Sequence, residues 1–416
     1  MLDLTQFTAR ENTRQRDTLN LIASENYPSP AVLDLLGSVW STKYAEGQPG
    51  KRYYAGNELA DELETYAMEL ALKVFDARGY GCNVQVLSGS PANATVYHAV
   101  LEPGDKVLSL SLEDGGHLSH LHKTSVYNKY YRFAHYPLKE TNPDTFEIDE
   151  EAYRQCLQRE QPQLVILGFS AYPRRIDFER LITLAHEAGA LVLTDIAHIN
   201  GLVAAGLHPS PFAPGESGAD FVTMTTHKTL RGPRGGLIFA KEEQMKKINR
   251  AIFPGSFGGP HLQKIAALAR ALQEILGVEA YPDGRSFGEY TQAVLDNCKT
   301  LEQALGTAGF EVVSPTQTHL CLVRLPQEIS SLQLQRRLEG AGIITNRNML
   351  PLDPKTAWDP SGMRLGSAAL TSRGATGEDF ELIAELMAAF VFGSTSQQAK
   401  VADKVSKLTS RLAWYY

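Results

Sequence analysis

The sequence has few of the features that mark disulfide-rich, secreted or membrane proteins. It contains only four cysteines in 416 residues, and they stand far apart with no CxxC pair: Cys82, Cys156, Cys298 and Cys321. We therefore expect buried or incidental thiols in a reducing compartment, and no metal site. The N-terminal stretch lacks the apolar core of a secretory signal. No apolar run approaches the roughly 20 residues that a membrane span needs. These absences predict a soluble, cytoplasmic protein with no membrane partner.

Clusters of basic residues are also missing. The formal net charge is −7, and lysine and arginine are scattered along the chain. Nucleic-acid binding usually leaves a basic stripe, so we expect no nucleic-acid partner. A hydrophobic fraction of 43% with 21% charged residues is typical of a globular protein that can bury a core. The length predicts two or three domains.

From about residue 57 the sequence alternates between helix and strand patterns. Asn57 is a predicted cap for a helix whose apolar positions recur at helical spacing: Leu59, Leu63, Ala67 and Leu70. Short apolar runs predict strands at 84–87, 106–110, 164–167, 191–194 and 221–223. This alternation predicts a parallel sheet covered on both faces, with ligands at the carboxyl ends of its strands.

The pattern changes after two predicted helices, at about 261–276 and 287–306. Residues 310–313 and 320–325 then read as strands of a smaller α+β unit, which a helix at about 378–392 closes. The first two dozen residues look helical. We therefore predict an N-terminal helical arm (1–25), a large α/β domain (26–283) and a small C-terminal α+β domain (284–416).

One polar cluster could hold a phosphate group. The motif Ser88-Gly89-Ser90-Pro91-Ala92-Asn93 follows a predicted strand and opens a helix, with Ser90 as N-cap and Pro91 as the first helical residue. Free amides and the positive end of the helix dipole suit an anion. A plain helix cap would have the same sequence, so this motif alone does not decide.

Two further clusters follow predicted strands. Asp195 stands at the mouth of a buried strand, where an ionised carboxylate needs a charged partner such as a protonated pyridine nitrogen. A helix-capping or salt-bridging role explains Asp195 equally well. Lys228 follows the next strand and could form a Schiff base, although alone it reads as a surface lysine before the flexible Arg231–Gly236 loop. An anion cradle, an acid and a lysine at successive strand ends favour one shared site.

At these residues the chain resembles the serine hydroxymethyltransferases, within the fold-type I pyridoxal-phosphate enzymes. The resemblance covers most of the chain, from LIASENY (21–27) through KYAEGQPGKRYYAG (43–56), GFSAYPRRIDF (168–178), DIAHINGLVAAG (195–206) and TTHKTLRGPRGG (225–236) to RLG (364–366). It implies a mixed, mostly parallel seven-stranded sheet with a smaller α+β domain. It also implies that serine and glycine are interconverted while tetrahydrofolate carries the one-carbon unit.

The resemblance assigns roles to named residues. Lys228 would bind pyridoxal phosphate as a Schiff base and Asp195 would pair with the pyridine nitrogen. The other expected cofactor contacts are His117 on the ring, His198 and Ser170 on its phenolic side, Ser88, Gly89 and Ser90 on the phosphate, Gly258, Gly259 and Tyr44 from a second subunit, and His227. Expected substrate contacts are Arg364 and Ser24 on the carboxylate, with Glu46 and Tyr54 in proton transfer. Expected folate contacts are Tyr53, Leu112, Gly116, Leu118 and Asn348. A homodimer with shared sites is implied, with a tetramer left open.

Several positions depart from the family's usual residues. Pro91 stands where Gln is usual, Leu87 replaces a common His, and Glu113-Asp114 replaces Ala-His. The stretch after Leu118 reads SHLHKTSVYN instead of THGSPVNFSG, and Phe257, Met349 and Ile199-Asn200 are also unusual. These changes leave the cofactor residues intact and surround the substrate and folate cleft. A folate-independent aldolase or transaldolase for a β-hydroxy amino acid therefore stays open, as does a cofactor-binding regulator without turnover, which the intact catalytic set disfavours.

Overall fold

The chain folds as an α/β protein, described here from a computed structural model for residues 2–213 and 215–416. The α-helices are α1 (Leu4–Arg16), α2 (Pro30–Leu36), α3 (Glu58–Val74), α4 (Gly89–Val100), α5 (Glu150–Glu160), α6 (Phe178–Glu187), α7 (Asn200–Ala204), α8 (Met245–Arg250), α9 (Leu262–Ile275), α10 (Phe287–Thr307), α11 (Ser331–Gly340), α12 (Ala368–Ser372), α13 (Gly377–Val391), α14 (Thr395–Gln398) and α15 (Val401–Thr409). The strands are β1 (Leu19–Asn20), β2 (Gly47–Gln48), β3 (Lys51–Arg52), β4 (Tyr80–Asn83), β5 (Lys106–Leu110), β6 (Arg132–Tyr136), β7 (Leu138–Asn142), β8 (Thr145–Ile148), β9 (Leu164–Gly168), β10 (Leu191–Asp195), β11 (Phe221–Thr225), β12 (Gly236–Lys241), β13 (Glu311–Val313), β14 (Leu320–Arg324), β15 (Ile343–Ile344), β16 (Asn346–Asn348) and β17 (Gly362–Gly366).

The central element is a mixed sheet, and seven strands belong to it within the described part of the chain. Their order is β4-β12-β11-β10-β9-β5-β6, and β12 runs antiparallel to both of its neighbours. The predicted mostly parallel, seven-stranded α/β sheet is confirmed. Alternate residues of β9 pack into two different apolar clusters, Leu164 and Ile166 on one face, Val165 and Leu167 on the other. Burial on both faces explains why these strands read as unbroken apolar runs.

The second layer is a four-stranded antiparallel sheet, β13-β14-β17-β16, in the C-terminal part. Helices α10, α11 and α13 cover it, and Leu301, Leu338 and Phe380 belong to its apolar core. The N-terminal strand β1 pairs with β15, and Leu19 and Leu21 join the same core. The predicted domain boundaries near residues 25 and 283 stay predictions.

Several local predictions were wrong. Residues 84–87 do not form a strand, because β4 ends at Asn83. Helix α4 begins at Gly89 with Ser88 as N-cap, so Ser90 and Pro91 lie inside it. Asn57 precedes α3 as predicted but does not cap it with its side chain. Leu59 is 67% exposed instead of facing the core.

The helix near 378–392 does not close the small unit, because α14 and α15 follow it and Val405 and Leu408 enter the core. Among the described residues, none of the helices combines the length and hydropathy that crossing a bilayer requires.

Candidate active site

A cavity of about 450 Å³ opens at the carboxyl ends of the central strands. Its lining brings together residues from distant parts of the sequence: Ser24, Glu25, Ser88, Gly89, Ser90, His117, His120, Phe169, Ser170, Asp195, Ala197, His198, Thr225, His227, Lys228, Arg234 and Arg364. The volume lies within the range of small-molecule and cofactor pockets. The position matches the sequence prediction, because the strand ends of a parallel sheet meet along one edge.

The start of α4 forms one wall of the cavity. Ser88, in extended conformation, precedes the helix, and the first-turn amides of Gly89 and Ser90 have no partner within the helix. A β-carbon on Gly89 would lie 2.9 Å from Cγ2 of Thr225, and one on Gly236 would lie 2.8 Å from the Ser88 carbonyl oxygen. Glycine at both positions therefore lets the turn lie close to β11 and β12, and Ser88, Gly89 and Ser90 line the cavity there.

Asp195, the last residue of β10, forms the floor of the cavity and is 8% exposed. Its Oδ2 accepts hydrogen bonds from Nδ2 of Asn93 (2.8 Å) and Nε2 of His120 (3.0 Å), and its Oδ1 accepts one from the Ala197 amide (3.0 Å). Burial alone would raise the pKa of Asp195. The bonds from His120 and Asn93 outweigh burial and hold this pKa well below its usual value. The carboxylate stays ionised.

The carboxylate of Asp195 retains room for one more donor. An ionised carboxyl group offers about four lone-pair positions, and the three bonds from Asn93, His120 and Ala197 occupy three of them. The remaining position is on Oδ1, in a side chain that lines the cavity. The site can therefore accept one N–H donor from a bound group.

Lys228 follows β11 and reaches the cavity from the neighbouring strand end. Its side chain is buried, and burial lowers the pKa of Lys228 to about 8, although the charge of Asp195 works in the opposite direction. Such a lysine has a substantial fraction of neutral, nucleophilic amine near neutral pH. Its backbone is also fixed, since Nδ2 of Asn26 donates to the Lys228 carbonyl oxygen at 2.8 Å.

Histidines line the cavity between these groups. Burial, together with the nearby His120, lowers the pKa of His117 to about 4. The Nδ1 of His117 lies 2.7 Å from the Ser119 hydroxyl. Burial lowers the pKa of His227 to about 4 and that of His198 well below its ordinary value. All three rings are therefore neutral at physiological pH and can stack or share hydrogen bonds without adding charge.

Arg364 projects from β17 of the small sheet into the same cavity, and burial lowers its pKa to about 10. One terminal nitrogen donates to the Ser170 carbonyl oxygen (2.7 Å) and its hydroxyl (3.2 Å). The other donates to Oδ1 of Asn346 at 3.3 Å. Ser24 lines the cavity beside it. A guanidinium at this position can bind a carboxylate, and a contact through two parallel bonds would replace some of the bonds that it makes here.

A second group of predicted residues lies together but away from Lys228. Tyr44 donates from its hydroxyl to Oε1 of Glu46 at 3.3 Å. A β-carbon on Gly258 would lie 3.2 Å from the same oxygen, and one on Gly259 would lie 3.7 Å from Cε1 of Tyr44. The rings of Tyr44 and Tyr54 meet edge to face at 5.0 Å. None of these side chains lines the cavity of its own chain, as far as residues 2–213 and 215–416 describe it.

The predicted folate residues also lie outside the cavity lining of the described chain. Tyr53 is 76% exposed and meets Phe253 edge to face at 5.4 Å, and Leu118 is 52% exposed. Leu112 and Gly116 belong to the turn after β5, where the Gly116 amide donates to the Ser111 carbonyl oxygen. Asn348 ends β16, and its Nδ2 donates to the Met349 carbonyl oxygen at 2.5 Å. Their folate role stays a prediction.

Sequence reasoning missed several residues of this site, above all His120, Asn93 and Asn346. His120 lies in the unusual stretch after Leu118, three residues beyond His117, and that spacing was the available signal. Asn93 was visible as the end of the SGSPAN motif. The small residue Gly168 also matters, because a β-carbon there would lie 2.6 Å from the Asp195 Cβ and 3.0 Å from Cε1 of His120.

Comparison with known proteins agrees with this geometry. The family model described as serine hydroxymethyltransferase matches residues 2–387. The chain belongs to the serine hydroxymethyltransferase family. It is 43% identical over 406 residues to the serine hydroxymethyltransferase of Desulfotalea psychrophila, covering 97% of this chain and 92% of that protein. It is also 43% identical over 416 residues to that of Coprothermobacter proteolyticus, covering 99% of this chain and 96% of the relative. The predicted family is confirmed.

Proposed function

We propose that this member of the serine hydroxymethyltransferase family interconverts serine and glycine and transfers the one-carbon unit to and from tetrahydrofolate, with pyridoxal phosphate as cofactor. The observation that carries the proposal is the convergence of Lys228, Asp195 and the Ser88–Ser90 turn on one cavity. An amine, an ionised acid and an anion cradle are the three groups that this cofactor requires of a protein. The 43% identity to two serine hydroxymethyltransferases, which extends over nearly the whole chain, supports the same reaction.

The residues of the cavity fit pyridoxal phosphate. The free acceptor position on Oδ1 of Asp195 matches a protonated ring nitrogen, and the amides of Gly89 and Ser90 match a phosphate group. Arg234 also lines the cavity and adds a cation to it. The neutral rings of His117 and His198 suit contact with the aromatic ring and its phenolic oxygen. When bound, the cofactor draws electrons away from the α-carbon of the amino acid.

The protein's own groups then bind and orient the substrate. Arg364 binds the carboxylate through its planar fork, and Ser24 donates beside it. The substrate α-carbon is thereby fixed relative to Lys228, whose low pKa leaves a fraction of neutral amine that can exchange with the substrate amine. Ser170 holds the guanidinium through two contacts, so the orientation of the substrate depends on the β9 strand end as well.

We infer that Glu46 and Tyr54 serve the cavity of a partner subunit in a homodimer. Within one chain, the cluster of Tyr44, Glu46 and Gly258–Gly259 lies outside the cavity that contains Lys228, and Tyr44 is 55% exposed. A carboxylate and two tyrosines on an exposed aromatic surface can complete a second copy's site. Glu46 would then move a proton at the substrate hydroxymethyl group. A cytoplasmic location fits the free, buried cysteines.

The reaction is tested with purified holoenzyme, serine and tetrahydrofolate, by following glycine and the one-carbon folate together. Stoichiometric formation of both products that requires tetrahydrofolate is the expected result. Cleavage of serine or threonine at the same rate without folate would instead identify an aldolase on this scaffold. Binding of cofactor with no turnover of any amino acid would identify a regulator.

Sharing of sites between subunits is tested by co-expressing two differently tagged chains, one with Lys228→Ala and one with Glu46→Gln. Each variant alone is expected to be nearly inactive. In mixed dimers, one of the two sites combines an intact Lys228 with a partner's intact Glu46, so activity should return to about half of the wild-type value per mixed dimer, as one restored site of two predicts. Inactive mixed dimers would place Lys228 and Glu46 in the same subunit's site.

A further inference from the structure

The aromatic segment Ala413–Tyr416 packs against the loop that carries Ser24. The Trp414 ring meets the Tyr27 ring edge to face, with centroids 5.2 Å apart, and meets Tyr416 in the same way at 5.1 Å. The ring centroids of Tyr416 and Tyr27 lie 6.4 Å apart, and the Tyr416 hydroxyl donates to the Pro28 carbonyl oxygen. The family match ends at residue 387, so this contact lies outside the part of the chain that the family model describes.

The segment is fixed in place by Arg373 and α1. The guanidinium of Arg373 lies 5.1 Å from the Trp414 ring centroid and donates to the carbonyl oxygens of Arg16 (2.7 Å) and Thr18 (3.0 Å). Its own carbonyl oxygen accepts the Ala413 amide at 2.9 Å. The indole Nε1 of Trp414 donates to Oδ1 of Asn12 at 2.7 Å. Trp414 therefore bridges α1 and the small sheet's helices.

The loop between β1 and α2 needs such support. Residues 21–29 contain no helix or strand, and loops without regular structure are mobile unless their side chains are packed. Within this loop, the Tyr27 side chain is the one against which the rings of Trp414 and Tyr416 pack. Its carbonyl oxygen accepts Nε of the buried Arg231 at 3.0 Å, which fixes the other side of the residue.

Two links connect Tyr27 to the cavity. Its neighbour Asn26 donates from Nδ2 to the Lys228 carbonyl oxygen at 2.8 Å and accepts at Oδ1 from the Ser372 hydroxyl at 2.5 Å. On the same loop, Ser24 and Glu25 line the cavity directly. A displacement of Tyr27 would therefore move the peptide that carries Lys228 and the hydroxyl that faces the substrate carboxylate.

We propose that Trp414 and Tyr416 are positioning residues that hold the loop of Ser24 and Asn26 in the geometry that binds the amino-acid carboxylate. This inference rests on the proposed function, since the ligand that reports it is the amino-acid substrate. Neither residue touches the cavity, so both act through Tyr27 and Pro28. Their effect should fall on amino-acid binding and not on tetrahydrofolate binding, because the loop carries none of the predicted folate contacts.

The test compares Trp414→Ala with a matched control, Trp358→Ala, whose side chain is 79% exposed. Glycine affinity is measured directly on the holoenzyme from the absorbance change of the bound cofactor, and steady-state kinetics give KM and kcat. We expect a roughly 3- to 10-fold weaker glycine affinity and a similar rise in KM for serine, the loss that removal of an edge-to-face aromatic pair produces. KM for tetrahydrofolate should change by less than about twofold. A general loss of folded protein would not raise KM for serine while leaving KM for tetrahydrofolate unchanged. Trp414→Phe should restore most of the affinity.

Equal glycine affinity in Trp414→Ala and wild type overturns the proposal, as does an equal loss in Trp358→Ala. Should Trp414→Ala fail to fold, Tyr416→Phe decides, because it keeps the ring and removes only the bond to Pro28. A roughly 2- to 5-fold weaker glycine affinity is expected there, and an unchanged affinity counts against the proposal. Failure of the proposed function is recognised separately, because wild-type enzyme would then bind glycine without converting serine.

Discussion

The Nε2 of His120 lies 3.0 Å from the Oδ2 of Asp195, and both side chains are buried at the base of the cavity. Asp195 ends β10, whereas His120 lies in the loop between β5 and β6, and the pair keeps the carboxylate ionised without using its Oδ1. A buried charge that loses one partner is costly, because the remaining desolvation is no longer compensated.

Replacement of His120 by Ala should therefore weaken cofactor binding. We expect the dissociation constant of pyridoxal phosphate to rise by roughly 10- to 100-fold, the value of one hydrogen bond to a charged group. Equilibrium titration of apoenzyme with cofactor measures it. His122→Ala is the control, since that ring bonds the Thr124 hydroxyl instead. Unchanged cofactor affinity in His120→Ala would mean that Asn93 and Ala197 suffice to hold Asp195.

The close approach of β9 to this pair gives a second prediction. Gly168→Ala would place a methyl group 2.6 Å from the Asp195 Cβ, so the strands must shift and the pair must separate. Cofactor affinity and the melting temperature should both fall. Gly288→Ala, at a helical glycine with no atom within 4 Å of the added carbon, should instead stabilise the protein by up to about 1 kcal/mol. Thermal melts of both variants, with and without cofactor, distinguish packing at Gly168 from a general effect of alanine.

Reconstitution of the apoenzyme should depend on pH through Lys228. Burial lowers the pKa of this lysine to about 8, and only the neutral amine attacks a carbonyl group, so the rate of covalent attachment should rise with pH and level off above about 8. Stopped-flow absorbance follows the reaction. Lys264→Met should keep this profile, since the Lys264 amine lies against the Val84 and Val86 carbonyls instead of the cavity. In contrast, Lys228→Ala should form no covalent adduct and lose roughly 10³-fold or more in activity.

Lys264 predicts a separate effect on stability. Burial lowers the pKa of Lys264 to about 8 from its ordinary value of 10.5, so between these two pH values the unfolded chain binds more protons than the folded one. The contribution of Lys264 to the free energy of unfolding is therefore lowest below pH 8 and rises with pH up to about 10.5. Compared with Lys264→Met, wild type should gain about 1.4 kcal/mol of unfolding free energy per pH unit across this window. Urea unfolding of the two apoproteins at several pH values measures the difference. A constant difference would show that Lys264 titrates normally.

Arg364→Lys should raise the KM for serine by roughly 10- to 100-fold, because an ammonium group cannot form the two parallel bonds of a guanidinium. The change should appear in KM for the amino acid more than in KM for tetrahydrofolate. Arg347→Lys, on β16 beside it, is the matched control. A similar loss in both variants would show that the small sheet, and not the carboxylate contact, had been disturbed.

Much of the central sheet could be predicted from the sequence, because its strands have a clear local pattern. Strands β5, β9, β10 and β11 are continuous apolar runs with polar residues at their carboxyl ends, and each lies where the pattern indicated. Family membership and the α/β fold class are confirmed. The roles of individual site residues stay predictions, although Lys228, Asp195, Arg364 and the Ser88–Ser90 turn do line one cavity.

The errors arose where tertiary contacts replaced local structure. Val84 and Val86 are buried like strand residues, yet both carbonyls accept from the Lys264 amine, and Val86 also accepts from the Gly236 amide at the start of β12. Asn57 does not cap α3, because its Nδ2 donates to the carbonyls of Tyr44 and Tyr54. His120 was not predicted as a site residue because its partner Asp195 is distant in sequence. No periodicity reports contacts of this kind.

The pairing of β1 with β15 has a consequence for biosynthesis. Leu19 leaves the ribosome before the central sheet is synthesised, while Ile343, which lies opposite it in the strand pair, emerges only after that sheet is complete. Strand β1 therefore stays unpaired while the intervening residues fold. Such long-range pairing is slow because a large loop must close. A nascent chain stalled before Ile343 would expose Leu19 and Leu21 to chaperones and proteases.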